Sequence, residues 1–128
     1  MIQKRTHALI NDALCGTVVN LEPGVSTVEL VTTMDMVVDE HGLIHGGFIF
    51  SVADHAAIVA INQPSVALGA ASVKFLRPVK AGDRIVAEAR VSRIDGKKHV
   101  VAVDVMREDE KVFSGEFTCF VPEKHVLE

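Results

Sequence analysis

The stretch that decides the fold is HGGFIFSVADHAAIVAIN, residues 45–62. At about 3.6 residues per turn it is long enough for roughly four helical turns. It opens on two glycines and runs into Asn62, Gln63 and Pro64, the last of which cannot continue a helix. The spacing predicts a helix from about Gly46 to Asn62. Phe48, Ile49, Phe50, Val52, Ile58 and Ile61 make it apolar nearly all round, as a helix wrapped on several sides requires. It is shorter than the roughly 20 apolar residues of a membrane span and carries Asp54 and His55 near its middle, so it reads as a buried core helix.

Upstream, Thr17 to Leu21 and Val25 to Thr33 are rich in β-branched residues, with Pro23 and Gly24 between them, which predicts a hairpin. Before it, Ile2, Leu9, Ile10, Ala13 and Leu14 fall near helical spacing. A short amphipathic helix over about residues 3–14, closed by Gly16, is the expectation. Downstream the chain reads as strand. Ile85, Ala87, Ala89 and Val91 alternate with polar residues, Asp95 and Gly96 supply a tight turn, and Val101 to Val105 and Val112 to Val121 follow. Lys74, Arg77 and Lys80 are expected on one strand. One long helix must then lie across one face of an antiparallel sheet, an α+β fold in a single domain over residues 1–128.

A chain of 128 residues has room for one core. Its 48% hydrophobic content and mean hydropathy of +0.30 point to apolar surface covered by another subunit. A net charge of −4 gives no basic field to hold nucleic acid. Two cysteines, Cys15 and Cys119, without metal-type spacing fit a reducing compartment. The N-terminus has no uninterrupted apolar core that could act as a secretory signal, so a cytoplasmic location is expected. His41 and His45 are four residues apart, but Gly42 and Gly46 argue for a loop rather than a metal site.

The chemistry concentrates in residues 45–57. Gly46 and Gly47 open the helix where unpaired amides and the positive dipole end converge, a place able to hold a carbonyl oxygen gaining negative charge. They also permit a sharp turn into the helix, which is their structural alternative. Asp54 is a carboxylate inside an apolar helix. It needs a hydrogen-bond partner such as Ser51 or a neighbouring strand, or else a cavity that admits water and substrate. In the second case burial raises its pKa while it serves as general base or as nucleophile. Gly46 and Asp54 are eight residues apart, which is roughly 12 Å at about 1.5 Å per residue. One helix cannot bring both to one carbonyl, so if both are catalytic the site is shared between two copies. His55 lies about 100° round the helix from Asp54 and cannot act on the same atom.

The triplet His45-Gly46-Gly47, the pair Ala53-Asp54 and the segment Phe75-Leu76-Arg77-Pro78-Val79 followed by Gly82-Asp83 resemble the hotdog-fold acyl-CoA thioesterases, in particular the phenylacetyl-CoA thioesterase-like branch. The resemblance spans about Asp39 to Val121. It implies a sheet wrapped around one central helix, and an acyl-CoA substrate hydrolysed at the interface of a homodimer or of a homotetramer made of two. It implies that Gly46 polarises the thioester carbonyl and that Asp54 comes from the partner subunit. In such a site Gly47 and His45 shape the loop, and coenzyme A belongs to the substrate, with no separate cofactor or metal. The family commonly has Asn where this chain has Asp39, and a carboxylate there accepts from water without donating. A capping role in the loop is the alternative for Asp39. Coenzyme A phosphates need cations, for which Arg77, Lys74, Lys80, Lys97 and Lys98 are the candidates.

Two other functions stay open on the sequence. One is a hotdog dehydratase or hydratase acting on acyl thioesters. The other is a non-catalytic acyl-CoA sensor, although no basic helix-turn-helix is visible in the chain. The acyl pocket is expected near Phe48, Phe50, Val59 and Leu68.

Overall fold

Strand-forming segments and the one long apolar helix assemble, in a computed structural model that describes residues 1–128, into a six-stranded antiparallel sheet packed on that helix. The order along the chain is α1 (Asp12–Cys15), β1 (Thr17–Glu22), β2 (Val25–Val31), α2 (Gly46–Ile61), β3 (Ala67–Phe75), β4 (Arg84–Asp95), β5 (Lys98–Arg107) and β6 (Glu110–Phe120). Across the sheet the order is β1-β2-β4-β5-β6-β3. This is the hotdog arrangement, α+β, with α2 as the filling. No helix is long and apolar enough to cross a membrane.

The register follows from side-chain alternation. Ile85, Ala87 and Ala89 of β4 pair with Leu30, Val28 and Ser26 of β2, and all are buried under the helix. Small residues on α2, notably Ala53, Ala56, Ala57 and Ala60, let its axis approach the sheet closely. The buried Ser26 hydroxyl, facing that apolar layer, donates to the Ala56 carbonyl at 2.6 Å. Gly16 sits where chain, sheet and helix meet: with φ +92, a Cβ there would lie 2.8 Å from Val28 and 2.9 Å from Val52.

The helix lies mostly over β2, β4 and β5 and touches β6 and β3 only lightly. Consequently β3, an edge strand paired only to β6, is largely exposed on both faces although it reads ALGAASVKF. Leu68 is 36% exposed and Phe75 is 53% exposed. A long, mostly apolar edge with a single charge, Lys74, and no cover is one that folded proteins normally protect.

Three expectations need correction. The N-terminal helix over about 3–14 is a single turn, Asp12–Cys15. Upstream of it the chain is irregular and tied to other elements: Ile2 donates to the Leu21 carbonyl at 2.8 Å, and the Asn62 side chain accepts from Arg5 at 2.6 Å and donates to the Gln3 carbonyl at 2.8 Å. Those bonds outweigh the weak helix tendency of so short a segment. Its helically spaced Leu9 is almost fully exposed. Secondly, α2 ends at Ile61, and Asn62 caps it in the left-handed region at φ 56. Thirdly, Lys74, Arg77 and Lys80 do not share a strand. β3 ends at Phe75, and both Leu76 and Arg77 donate to the Val112 carbonyl as the chain turns away towards Pro78.

Candidate active site

The chain enters α2 through an ordered lead-in. Val38 donates to the Leu43 carbonyl, Ile44 to Val79, and His45 to Met36. Asp39 closes the loop as a cap: one carboxylate oxygen accepts from His41 at 3.0 Å and from Leu43 at 3.2 Å. It does not line the cleft at the helix tip. His45 is the N-cap, and its Nδ1 accepts the Gly47 amide at 2.7 Å. The Gly47 donor is therefore engaged, whereas the Gly46 amide meets no acceptor within the protomer. An open donor at a helix N-terminus is suited to an oxygen that becomes negative.

Beside that amide lies a cleft of about 280 Å³. Ile49, Leu43 and Phe75 give it apolar walls, and Arg77 and Pro78 stand at its side. Phe75 is close enough that a Cβ on Gly46 would be 3.3 Å from its ring, so the glycine keeps the aromatic near the donor. A larger hollow, about 450 Å³, lies by α1, β1 and β2. Its one partly buried carboxylate, Glu29, is already paired with Arg84 at 2.5 Å, and no reactive group converges there.

Asp54 is two turns further along α2. Its Oδ1 is buried and has no hydrogen-bond partner; neither Ser51 nor a strand supplies one. Burial alone pushes its carboxyl up from 3.8 to about 6. The nearby Cys119 thiol is pushed up to about 12, first by its own burial and then by the Asp54 charge. Cys119 thus stays protonated and is no nucleophile near neutral pH. The other buried polar atom without a partner is His99 Nδ1, on the strand residue paired with Cys119. His55 has a different task. Buried, and with its pKa lowered chiefly by that burial, it contacts the Cys15 carbonyl through Nδ1 at 3.1 Å and Lys4 through Nε2 at 3.3 Å.

The cations divide. Arg77 lines the cleft with Gly46, while Lys74 and Lys80 are exposed on either side of it in sequence. Lys74 is paired with Ser114 and Lys98 with Phe120. Those partners are six positions apart along β6, roughly 20 Å at about 3.4 Å per residue, so Lys97 and Lys98 lie far from Arg77 within one protomer. Lys97 is 3.8 Å from Glu123. Of the expected acyl-pocket residues, Val59 is fully buried in the core and Phe50 stacks on Phe117, 5.3 Å between centroids. The cleft walls from Leu43, Ile49 and Phe75 were not foreseen, since nothing in their local pattern distinguishes them from core.

A family model described as the thioesterase superfamily matches residues 41–114. The chain belongs to the thioesterase superfamily. Among solved structures it is similar to the uncharacterized protein PH1136 of Pyrococcus horikoshii (49% identity, TM-score 0.98, covering 99% of this chain and 98% of that one). It is also similar to the PaaI protein from the phenylacetic acid degradation operon of E. coli (25% identity, TM-score 0.81, 89% and 84%). Among curated relatives, it is 50% identical over 113 residues to a methylthioribose-1-phosphate isomerase of Aquifex aeolicus, covering 88% of this chain but 25% of that protein. It is 31% identical over 125 residues to the transcription factor FapR of Caldanaerobacter subterraneus, covering 97% of this chain and 62% of that one. The chain thus spans between a quarter and about three fifths of the length of these two curated relatives.

Proposed function

We propose that this protein is an acyl-CoA thioesterase whose site combines the Gly46 amide of one protomer with Asp54 of a second copy. The observation that carries the reading is the buried, unpartnered Oδ1 of Asp54 beside a sheet edge left bare. Phe75, at one end of β3, packs against Gly46. Leu68, near the other end, is paired with Cys119, whose thiol feels the Asp54 charge. If two β3 strands pair antiparallel about a two-fold axis near Ala71, the Leu68 end of one lies beside the Phe75 end of the other. That operation brings Asp54 of each copy towards Gly46 of its mate, removes the bare edge, and closes the roughly 12 Å gap that one helix cannot close.

In this site the Gly46 amide donates to the thioester carbonyl oxygen. Asp54 either takes a proton from the water that attacks the carbonyl carbon or attacks it directly. As the tetrahedral centre collapses, the carbon–sulfur bond breaks, coenzyme A leaves as the thiolate and takes up a proton, and the free acid remains. Where Asp54 attacks, water hydrolyses the resulting anhydride in a second step. Arg77 at the side of the cleft suits a phosphate of coenzyme A.

Thiol release from a panel of short, long and aromatic acyl-CoA substrates tests the reading. Turnover is expected with at least one class, and Asp54→Asn should lower kcat by about 10² to 10⁴. A fully active Asp54→Asn protein would remove the mechanism. A second reading, an acyl-CoA-responsive binding module, is favoured by the similarity to a transcription factor along nearly all of this chain. It predicts saturable acyl-CoA binding with no thiol released from any substrate.

A further inference from the structure

Arg107, at the end of β5, is only 25% exposed and binds three segments at once. Its Nη1 donates to the Pro78 carbonyl at 2.7 Å and to Asp83 at 3.1 Å, and its Nη2 donates to Glu110. The second oxygen of Glu110 lies 3.4 Å from Arg77 Nε. Asp83 also accepts the Lys80 amide at 2.9 Å, so residues 77–83 are gathered around one guanidinium.

That segment reaches the candidate site in two ways. It supplies Arg77, Pro78 and Val79 to the cleft beside Gly46. It also holds the lead-in to α2: Ile44 donates to the Val79 carbonyl at 2.9 Å, Ala81 donates to the Gly42 carbonyl at 2.9 Å, and Leu43 bridges to Lys80. Two residues after Ile44 comes the free amide of Gly46. Two hydrogen bonds joined by short stretches of backbone therefore connect Arg107 to the donor that would carry the developing charge.

We propose that Arg107 and Glu110 are positioning residues of the thioesterase site, Arg107 for the Gly46 amide and Glu110 for Arg77. The inference rests on the functional reading above and extends it to the means by which the phosphate-bearing end of coenzyme A is gripped. Glu110 comes nearest Arg77 at Nε, and no hydrogen bond engages either Nη group of this 59% exposed side chain, so both are free to reach a phosphate. Arg77, Arg107, Asp83 and Glu110 together carry two positive and two negative charges. The network is neutral before substrate arrives, and its unsatisfied edge is a cation. Lysine cannot replace Arg107, because a single ammonium does not reproduce a planar fork that bridges three oxygens.

The test compares an acyl-CoA with the same acyl group on pantetheine, which lacks the phosphates. In Glu110→Gln, KM for the acyl-CoA should rise roughly tenfold, the size of one weakened charge-assisted contact, with kcat held and the pantetheine thioester unaffected. In Arg107→Lys, kcat should fall at least about tenfold on both substrates, since a misplacement of about 1 Å costs up to about a hundredfold. A purely structural Glu110 would shift thermal stability without splitting the two substrates, and a purely structural Arg107 would shift it while the folded variant kept its kcat. An unchanged or lower KM for acyl-CoA in Glu110→Gln, a KM shift in that variant equal on both substrates, or wild-type kcat in Arg107→Lys overturns the proposal. If the wild-type chain releases no thiol from any acyl-CoA, the thioesterase reading fails separately. The binding of a non-hydrolysable coenzyme A thioether then decides the role of Glu110: a roughly tenfold loss of affinity in Glu110→Gln sustains it, and equal affinity removes it.

Discussion

A lone carboxylate inside an apolar helix, as Asp54 is, has few harmless explanations. The structure removes the harmless ones: Oδ1 is buried and unpaired, and burial lifts the carboxyl to about 6. The consequence for stability has an unusual sign. In the folded chain the group holds its proton to higher pH than in the unfolded chain, so stability is lost as pH rises from about 4 to about 6 and stays lower above that. A rise of that size corresponds to roughly 3 kcal/mol in favour of the neutral form. Asp54→Asn should therefore unfold at higher urea than the wild-type chain at pH 8, by up to about 3 kcal/mol, with the gap closing below about pH 4. Activity should run the other way, with kcat/KM rising through about pH 6 as the carboxylate forms. An acid limb near 4, or an Asn variant no more stable at pH 8, would contradict the assignment. Arg107 and Glu110 could not be found this way. Their importance lies in contacts with residues 77–83, separated from Arg107 by more than 20 positions, and no local spacing signals such contacts.

At the scale of elements, α2 was legible because its length, its apolar content and the Asn62-Gln63-Pro64 stop all agree. The Pro23-Gly24 and Asp95-Gly96 turns were legible because turn chemistry is local. The cap was only half legible: the His45-Gly46-Gly47 triplet marks the helix start, but only the structure separates an engaged Gly47 amide from an open Gly46 amide. His45→Ala removes the acceptor for Gly47 and should destabilise the fold by about 1 kcal/mol, read as a lower urea midpoint with thiol release retained. Loss of all activity in a folded His45→Ala protein would instead give the imidazole a chemical task. The N-terminal segment was misread because apolar spacing there reflects no buried face. Its order comes from Asn62 and His55, side chains about 50 residues away in the chain.

At the scale of the whole molecule, composition signalled a covered apolar surface, and the structure locates a bare edge along β3 with the two halves of the candidate site at its opposite ends. Sharing between copies can be separated from the chemistry itself by mixing two inactive variants. Asp54→Asn lacks the carboxylate. Gly46→Pro lacks the amide hydrogen at the first helical position, where proline is tolerated and where His45 already has the extended ψ of 132 that a following proline prefers. Each alone should be inactive. Refolded together at equal amounts, half the dimers are mixed, and each mixed dimer holds one site with both parts intact and one with neither. The mixture should then recover roughly a quarter of wild-type activity. If both groups served a site within one protomer, every site in the mixture would still lack one of them. A mixture that stays inactive, although affinity tags prove that mixed dimers have formed, would rule out a site shared between copies and leave the bare β3 edge without a catalytic purpose.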